Sequence, residues 1–238
     1  HLSEEAMEQI LSAYSPHERD MRRFGRPSIG SGLIFPLNEE DLMIDPIEIQ
    51  DHWPRIAAID FGWDHPTAVV WCAIDNESDT FYIYDCYRAS KASPTVHSEV
   101  IRQRPYFIPI AYPHDGNRRD SMGNPGLAEQ YRSHGCNFLM QHFTNPPGLG
   151  EKKGSNSVEE GLMAMLQSME KENFKVFSTL SDWFEEFRMY HRKEGKVVAL
   201  RDDLMSATRY AFQSQRYAIA GSDPKWTSDI TYRNYGIV

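Results

Sequence analysis

The hydrophobic and polar positions in the first half of the chain follow the pattern of a β-sheet. An apolar run over residues 56–59 ends at Asp60, and two further apolar runs, 69–74 and 81–87, follow it with a polar turn between them. Short apolar runs bounded by turn residues predict strands, and strands joined by short turns pair antiparallel. We therefore predict a three-stranded meander whose first strand ends in an aspartate.

Helical and strand-like patterns then alternate along the rest of the chain. Ser157 and Glu160 form a capping box ahead of apolar residues at helical spacing, and a last helix is predicted over 201–212. The remaining predicted helices cover 93–103, 125–133 and 181–192, and the remaining predicted strands cover 106–112, 137–141, 174–177 and 197–200. The predicted order is a meander followed by alternating helices and strands.

Both ends of the chain lack the pattern of a packed core. Residues 1–50 combine a short helical stretch with a charged patch and a segment rich in glycine and proline, and residues 214–238 are polar with isolated aromatics. We therefore expect a connecting segment over 1–50, a globular domain over 51–213 and a flexible tail over 214–238. Because the chain begins at His1, we expect it to be part of a longer protein.

Composition and charge narrow the classes of function. The 238 residues are 40% hydrophobic, which is ordinary for a globular protein, and 25 basic against 34 acidic residues give a net charge of −9. This balance argues against a protein that binds nucleic acid mainly through its phosphates. Three cysteines without metal-ligand spacing predict neither a disulfide nor a zinc site. Since the sequence has no long apolar run and no signal-peptide pattern, we expect a cytosolic protein.

Acidic residues stand where the predicted elements begin or end. Asp60 ends the first strand, Asp115 follows the strand predicted over 106–112, and Asp202 and Asp203 begin the last helix. A buried carboxylate needs a partner charge, a set of donors or a metal ion. Two-metal hydrolysis of a phosphodiester uses carboxylates from separate elements, because Mg²⁺ and Mn²⁺ prefer oxygen ligands and must lie about 3.5–4 Å apart.

Each of these acids also has an ordinary structural explanation. An aspartate at a helix start is most often an N-cap, worth about 1 kcal/mol, and Asp115-Gly116 is a common turn dipeptide. Asp60 is harder to explain in this way because it follows an apolar strand. The order of all the acids along the chain favours a shared site more strongly than any one of them does.

The motifs around these acids resemble those of a known family. They are Ile59-Asp60-Phe61-Gly62 with Thr67-Ala68, then Pro113-His114-Asp115-Gly116, and then Arg201-Asp202-Asp203-Leu204-Met205-Ser206-Ala207-Thr208-Arg209-Tyr210-Ala211. Together they resemble the nuclease domain of large terminase subunits, the DNA-packaging motors of tailed bacteriophages, and most of all those of short-tailed phages that package by the headful. Residues 25–36 resemble the segment that joins the ATPase domain of these proteins to the nuclease.

The resemblance implies an α/β fold of the RNase H-like type, with a central mixed β-sheet flanked by α-helices on both faces. It also implies a site for two divalent cations, Mg²⁺ or Mn²⁺. By their positions in the motifs, Asp60 is expected to bridge both cations and Asp115 to be the second carboxylate. Asp202 and Asp203 match the paired acids of the last helix, where one or both are ligands.

Four further positions near these motifs bear on the site: one auxiliary acid, one departure from the family's pattern and two histidines. Asp64 resembles an auxiliary acid that some relatives carry near the metals. Many relatives have aspartate where this chain has Ser206, so the site depends more strongly on the acids at 202 and 203. His114 and His65 adjoin the motifs, although a histidine at a strand end is more often structural.

The activity that the resemblance implies is that of a metal-dependent endonuclease, which cleaves double-stranded DNA without sequence preference during viral genome packaging in the host cytoplasm. The implied partners are double-stranded DNA, the portal protein, the small terminase subunit and the ATPase domain of the same full-length chain, but no membrane. This chain has no Walker A motif of its own. The tail over 214–238 is a portal-binding candidate, and the candidate DNA contacts are Arg118, Arg119, Lys152, Lys153, Arg192, Lys193 and Lys196.

Two other classes of protein remain open from the residues alone. Actin-like ATPases and sugar kinases also begin with a strand, an Asp-x-Gly motif and a threonine, but the second phosphate loop and the adenosine motif of that class are missing here. A non-catalytic portal-docking module would use its aspartates as caps. In that module, the carboxyl groups of Asp60, Asp115, Asp202 and Asp203 would lie far apart.

Overall fold

A mixed sheet of six strands lies at the centre of the domain, in a computed structural model that describes residues 32–119, 123, 125–148 and 153–221. The strands are β1 (Met43–Ile44), β2 (Arg55–Asp60), β3 (Thr67–Asp75), β4 (Thr80–Ala89), β5 (Ile110–Ala111) and β6 (Phe174–Phe177). Their order across the sheet is β1-β6-β4-β3-β2-β5. The strands β2, β3 and β4 pair antiparallel, so the predicted meander is confirmed. The outer pairs β2-β5, β4-β6 and β6-β1 are parallel.

Helices cover both faces of this sheet. They are α1 (Glu39–Leu42), α2 (Pro94–Ile101), α3 (Leu127–Ser133), α4 (Val158–Glu170), α5 (Ser181–Met189) and α6 (Asp203–Gln213). Ile59 and Trp71 face the core under α2 and α3, whereas Ala58 and Val70 face the core under α4, α5 and α6. Strands that are buried on both faces carry continuous apolar runs, which is why β2 and β3 lack a polar face. The expected α/β fold with helices on both faces is confirmed.

Two predicted strands are shorter than the apolar pattern indicated. The strand predicted over 106–112 is only Ile110–Ala111, and the strand predicted over 137–141 is a single bridge at Phe138. The Pro109 carbonyl accepts a hydrogen bond of 2.9 Å from the Ala57 N–H, but Pro109 has no backbone N–H to donate, so the ladder is interrupted there. The apolar side chains still pack in the core, but the backbone forms little sheet.

A small hairpin precedes the last helix in place of the strand predicted over 197–200. It consists of β7 (Arg192–Lys193) and β8 (Lys196–Val197). The connecting residues Glu194 and Gly195 both have positive φ angles, 51° and 77°. Two consecutive residues of that conformation match the twist of a two-residue hairpin turn. The turn therefore pairs Lys196 and Val197 with Lys193 and Arg192 in a short hairpin, and the strand predicted over 197–200 does not form.

The expectation that residues 1–50 contribute no core is wrong for part of the segment. Ile34, Phe35 and Leu42 are buried, and the Phe35 ring stacks on Phe187 at a centroid distance of 5.8 Å. Strand β1 also pairs with β6 at the edge of the sheet. These apolar residues come in short groups that show no period, so the sequence pattern does not reveal them. Residues 1–31 lie outside the described part, and their role as a connecting segment stays a prediction.

The first residues of the predicted tail also pack on the domain. Ser214 is fully buried, and a 3₁₀ helix covers Gln215–Tyr217. The backbones of Ile219 and Arg55 exchange hydrogen bonds of 2.9 and 3.1 Å at the start of β2. The domain therefore extends to about residue 221, and residues 222–238 of the predicted tail lie outside the described part. No helix within the described residues is long and apolar enough to cross a membrane.

Candidate active site

Asp60 lies at the end of β2, where the chain leaves the sheet through a fixed turn. Thr67 Oγ1 donates to the Gly62 carbonyl at 2.9 Å and accepts from the Gly62 N–H at 3.2 Å. A Cβ atom at Gly62 would lie 2.4 Å from the carbonyl oxygen of His65, so no larger residue fits there. The spacing of aspartate, glycine and threonine in the motif therefore follows from a turn that fixes the half-buried Asp60 carboxyl group.

Asp115 reaches the same end of the sheet because β5 runs parallel to β2. It lies in the 3₁₀ helix His114–Asn117, shortly after β5. A Cβ atom at Gly116 would lie 2.6 Å from the Phe61 ring, so the glycine lets this helix pack closely against the residue that follows Asp60. Asp115 itself is exposed, which places it on the solvent side of the site.

Asp202 and Asp203 lie at the start of α6, which packs across β2 and β3. Asp202 occupies the N-cap position, but its side chain makes no capping hydrogen bond. Asp203 is only 5% exposed, and its Oδ1 lies 3.5 Å from His65 Nδ1. Residues seven apart return to the same face of a helix, and accordingly the hydroxyl of Tyr210 donates a hydrogen bond to the Asp60 carboxyl group.

These acids interact strongly enough to change their ionisation. Burial raises the pKa of Asp60 to about 8, and the charges of Asp203, Asp202 and Asp115 add to the rise, against the hydrogen bond from Tyr210. A carboxyl group inside a cluster of like charges is protonated at a pH where an isolated one is ionised. Asp60 is therefore close enough to each of the other three acids for their charges to act on it.

The paired acids of α6 show the same effect. Burial raises the pKa of Asp202, and the neighbouring charge of Asp203 raises it further, while His65 and Arg209 oppose the shift. Burial also raises the pKa of Asp203, and here the main opposing influence is His65. The structure therefore brings four of the five predicted acids together. The fifth, Asp64, is exposed in the turn between β2 and β3.

The chemistry of these side chains fits hard divalent cations, although the side chains do not form a closed ligand set. In the described part of the chain, no three His, Cys, Asp or Glu side chains are placed to hold one metal ion. The four acids supply only oxygen atoms, which Mg²⁺ and Mn²⁺ prefer. The raised pKa values of Asp60 and Asp202 come partly from repulsion by neighbouring acids, which a bound cation would relieve. Binding would then require the carboxyl groups to move closer together.

The predicted DNA contacts are placed differently from one another. Arg118 and Arg119 are exposed beside Asp115, and Arg119 lies 3.8 Å from Glu129. Arg192 donates from two nitrogens to the carboxylate of Glu159, so its charge is already paired. Lys152 lies outside the described residues. The other three predicted contacts are exposed, and they are Lys153, Lys193 and Lys196.

The sequence did not single out two residues that the structure places at the site. Tyr210 contacts Asp60, and its position seven residues after Asp203 was a usable signal. Glu186 is fully buried in α5, and its carboxylate accepts a hydrogen bond from the Leu204 N–H at 2.6 Å, at the start of α6. Burial raises the pKa of Glu186 to about 7. An acid within the apolar stripe of a helix was the only sequence signal for Glu186.

A central antiparallel meander, parallel strands outside it and helices on both faces define the RNase H-like fold. Carboxylates come together at the end of β2, the first strand of the meander, and α6 contributes two of them. A family model described as the terminase RNaseH-like domain matches residues 57–215, and the chain belongs to that family. This membership favours the terminase interpretation over the actin-like ATPase.

The chain is similar in sequence to curated large terminase subunits. It is 39% identical over 219 residues to the terminase large subunit of Salmonella phage P22, covering 92% of this chain and 43% of that protein. It is also 39% identical over 213 residues to the corresponding subunit of Enterobacteria phage LP7, covering 89% of this chain and 44% of that protein. The chain therefore spans less than half the length of these relatives.

A solved structure of similar fold supports the same family. The P22 large terminase nuclease domain superposes with a TM-score of 0.72 at 38% sequence identity, covering 80% of this chain and 96% of that one. The described domain thus corresponds in extent to a nuclease domain of a large terminase.

Proposed function

We propose that this chain is the catalytic nuclease part of a large terminase subunit, and that it cleaves double-stranded DNA without sequence preference during viral genome packaging. One observation carries the proposal: four carboxyl groups from three separate elements come together at the end of β2, and the nearby basic side chains, His65 and Arg209, leave the pKa values of Asp60, Asp202 and Asp203 raised. Among the described residues, the ion pairs of these acids are limited to the contact between His65 and Asp203. Such a group has its negative charge free for cations.

We further propose that Asp60, Asp115, Asp202 and Asp203 hold two divalent cations, Mg²⁺ or Mn²⁺. Asp60 interacts with each of the other three acids, so it is the natural bridging ligand. Bound cations would supply an activated water and stabilise the leaving oxygen of the phosphodiester. Asp64, which is exposed nearby, is an auxiliary ligand in this proposal.

The protein groups around these acids orient them. The hydroxyl of Tyr210 donates to the Asp60 carboxyl group and limits its rotation. The His65 ring is 73% exposed, and its Nδ1 lies 3.5 Å from Asp203 Oδ1, where it limits the rotation of that carboxyl group. The fixed turn between Gly62 and Thr67 holds His65 in place relative to Asp60.

DNA would be presented to this site by other parts of the packaging machine. The net charge of −9 gives the chain little general attraction for phosphates. Exposed basic residues, of which Arg118 and Arg119 are nearest Asp115 in sequence, orient the backbone locally. We propose that the portal protein, the small terminase subunit and the ATPase domain of the full-length chain bring the DNA to the site in the host cytoplasm, with the part of the predicted tail that follows the domain, residues 222–238, contacting the portal.

The proposal is tested by plasmid cleavage with the purified chain. We expect nicking and degradation with Mn²⁺ or Mg²⁺ and none with EDTA. Asp60→Asn keeps the size of the side chain, and it should lower the cleavage rate by at least about 100-fold. Asp182→Asn, a change on α5 outside the four acids, is the matched control and should cleave like the parent. Cleavage in EDTA, or an Asp60→Asn variant as active as the parent, would contradict the proposal.

A further inference from the structure

The start of α6 is capped by a side chain from another helix. Leu204 is the second residue of α6, and its N–H donates to Glu186 Oε2 at 2.6 Å. Where an N-cap side chain caps its helix, it accepts a hydrogen bond from that N–H or from the next one. The N-cap residue here is Asp202, and it makes no such bond. Glu186 has therefore taken over the bond that Asp202 would ordinarily make.

Glu186 is held firmly in this position. Its side chain is fully buried, and its second carboxylate oxygen accepts from Arg88 Nη1 at 3.0 Å. Arg88 lies near the end of β4 and also binds Asp182 and Glu185 of α5, at 3.0 and 2.6 Å. Both oxygens of the buried carboxylate thus have donors, which a stable buried acid requires.

The residue ahead of the cap is held by the same group of acids. Arg201, which directly precedes Asp202, donates to Glu185 at 2.7 Å. Strand β4, helix α5 and the segment entering α6 are therefore connected through Arg88 and three acids. The course of the chain through Asp202 is fixed from outside the helix that it begins.

A carboxylate that caps its own helix is directed at the helix backbone and shares its charge with N–H groups. An Asp202 side chain used in that way would be turned from Asp60. We propose that Glu186 is a positioning residue, which caps α6 in place of Asp202 and so keeps the Asp202 carboxylate available to the cluster around Asp60. The use of that carboxylate rests on the proposed metal site, whereas the exchange of caps can be tested without metal.

The first test compares two substitutions of similar size in EDTA. Glu186→Met removes the acceptor, and Glu186→Gln keeps one oxygen for the Leu204 N–H. In the parent and in Glu186→Gln, adding Asp202→Ala should leave the melting temperature unchanged or raise it, since like charge is removed. In Glu186→Met, Asp202 becomes the cap, and adding Asp202→Ala should lower the melting temperature by about 2–4 °C. An equal effect in all three backgrounds would overturn the proposal.

A second measurement needs no change at Glu186, so it decides the matter even if Glu186→Met does not fold. Amide hydrogen exchange of Leu204 is compared between the parent and Asp202→Ala, again in EDTA. If Glu186 is the cap, the exchange rate of Leu204 stays within about twofold of the parent. Faster exchange in Asp202→Ala would identify Asp202 as the cap and overturn the proposal.

The third test measures Mn²⁺ binding by calorimetry. Glu186→Met should weaken binding roughly 10- to 100-fold, as is typical when the support of a metal ligand is lost, while Glu186→Gln should restore most of it. Asp182→Asn removes another partner of Arg88 that does not touch α6, and it should bind Mn²⁺ like the parent. A Glu186→Met variant that melts earlier but binds Mn²⁺ normally would show a merely structural role and overturn the proposal. A parent that binds no Mn²⁺ would contradict the proposed metal site, and the first two tests would still decide the cap.

Discussion

Two acidic groups lie close together in this domain and differ in how their charge is compensated. On α5, the carboxylates of Asp182, Glu185 and Glu186 all bind Arg88. At the end of β2, the ion pairs of the four acids within the described residues are limited to the one between His65 and Asp203, and Arg209 acts on Asp202 without an ion pair. The negative charge of the first group is compensated by Arg88, and its acids connect a strand to a helix. The negative charge of the second group is not fully compensated within the described residues. This difference separates a structural cluster from a candidate cation site.

The largest effect that tests this comparison is on the paired group. Arg88→Met should lower the free energy of unfolding by about 3 kcal/mol, because it leaves the fully buried Glu186 without its cation. Arg201→Met is the matched control, since it removes a 56% exposed arginine that binds one of these acids, Glu185, and it should cost less than about 1 kcal/mol. Urea unfolding measures both. Equal losses would show that burial does not distinguish the two arginines.

A smaller effect is expected at the unpaired group when a cation is supplied. At a free Mn²⁺ concentration of about 100 times the dissociation constant, the folded state should gain roughly 2.7 kcal/mol, and thermal unfolding should shift upward accordingly. Asp60→Asn should lose this gain, whereas Asp182→Asn in the paired group should keep it. If Mn²⁺ stabilised Asp60→Asn as much as the parent, the cation would be bound elsewhere.

The smallest of the three effects concerns pH in the absence of metal. The pKa of Asp60 is raised from an ordinary 3.8 to about 8, so the folded state holds a proton that the unfolded state has lost between these values. Stability associated with Asp60 is complete below about pH 4 and is lost as the pH rises toward 8. Because Asp60 is partly accessible to solvent, we expect a loss of about 2 kcal/mol rather than that of the full shift.

Urea unfolding in EDTA at several pH values between 4.5 and 8 measures this loss. Asp202, Asp203 and Glu186 have pKa values raised in the same direction, so they add to the slope. Asp60→Asn should flatten the profile most, because it removes the acid at the centre of the group. A parent whose stability does not fall over this range would contradict the raised pKa values of these acids.

The sequence predicted the parts of the fold that depend on long local patterns. Strands β2, β3 and β4 are apolar over most of their length, and the acid that ends β2 is visible because it interrupts such a run. The apolar pair Ile34 and Phe35 is too short to show a period, and its burial depends on α5, far along the chain. Strand β5 is shorter than predicted because Pro109 has no backbone N–H, and the pattern of apolar residues takes no account of that.

The acids of the candidate site could be predicted from local sequence patterns, but the contacts that position them could not. Asp60, Asp115, Asp202 and Asp203 stand at element ends, where a motif can be recognised. Asp202 also matched the ordinary pattern of an N-cap, and only the contact from Glu186 to the Leu204 N–H shows that this pattern is unused. A hydrogen bond between residues 18 apart on different helices leaves no trace in local spacing.

The junction of Ile219 with Arg55 has a consequence for how the domain is connected to its surroundings. Arg55 and Asp60 stand at opposite ends of β2, and five steps along a strand span about 16 Å. The chain therefore leaves the described domain at the far end of the strand that carries the central acid. A partner bound at the Arg55 end of β2 would lie about the length of that strand away from the carboxylates. It would therefore leave the proposed site uncovered.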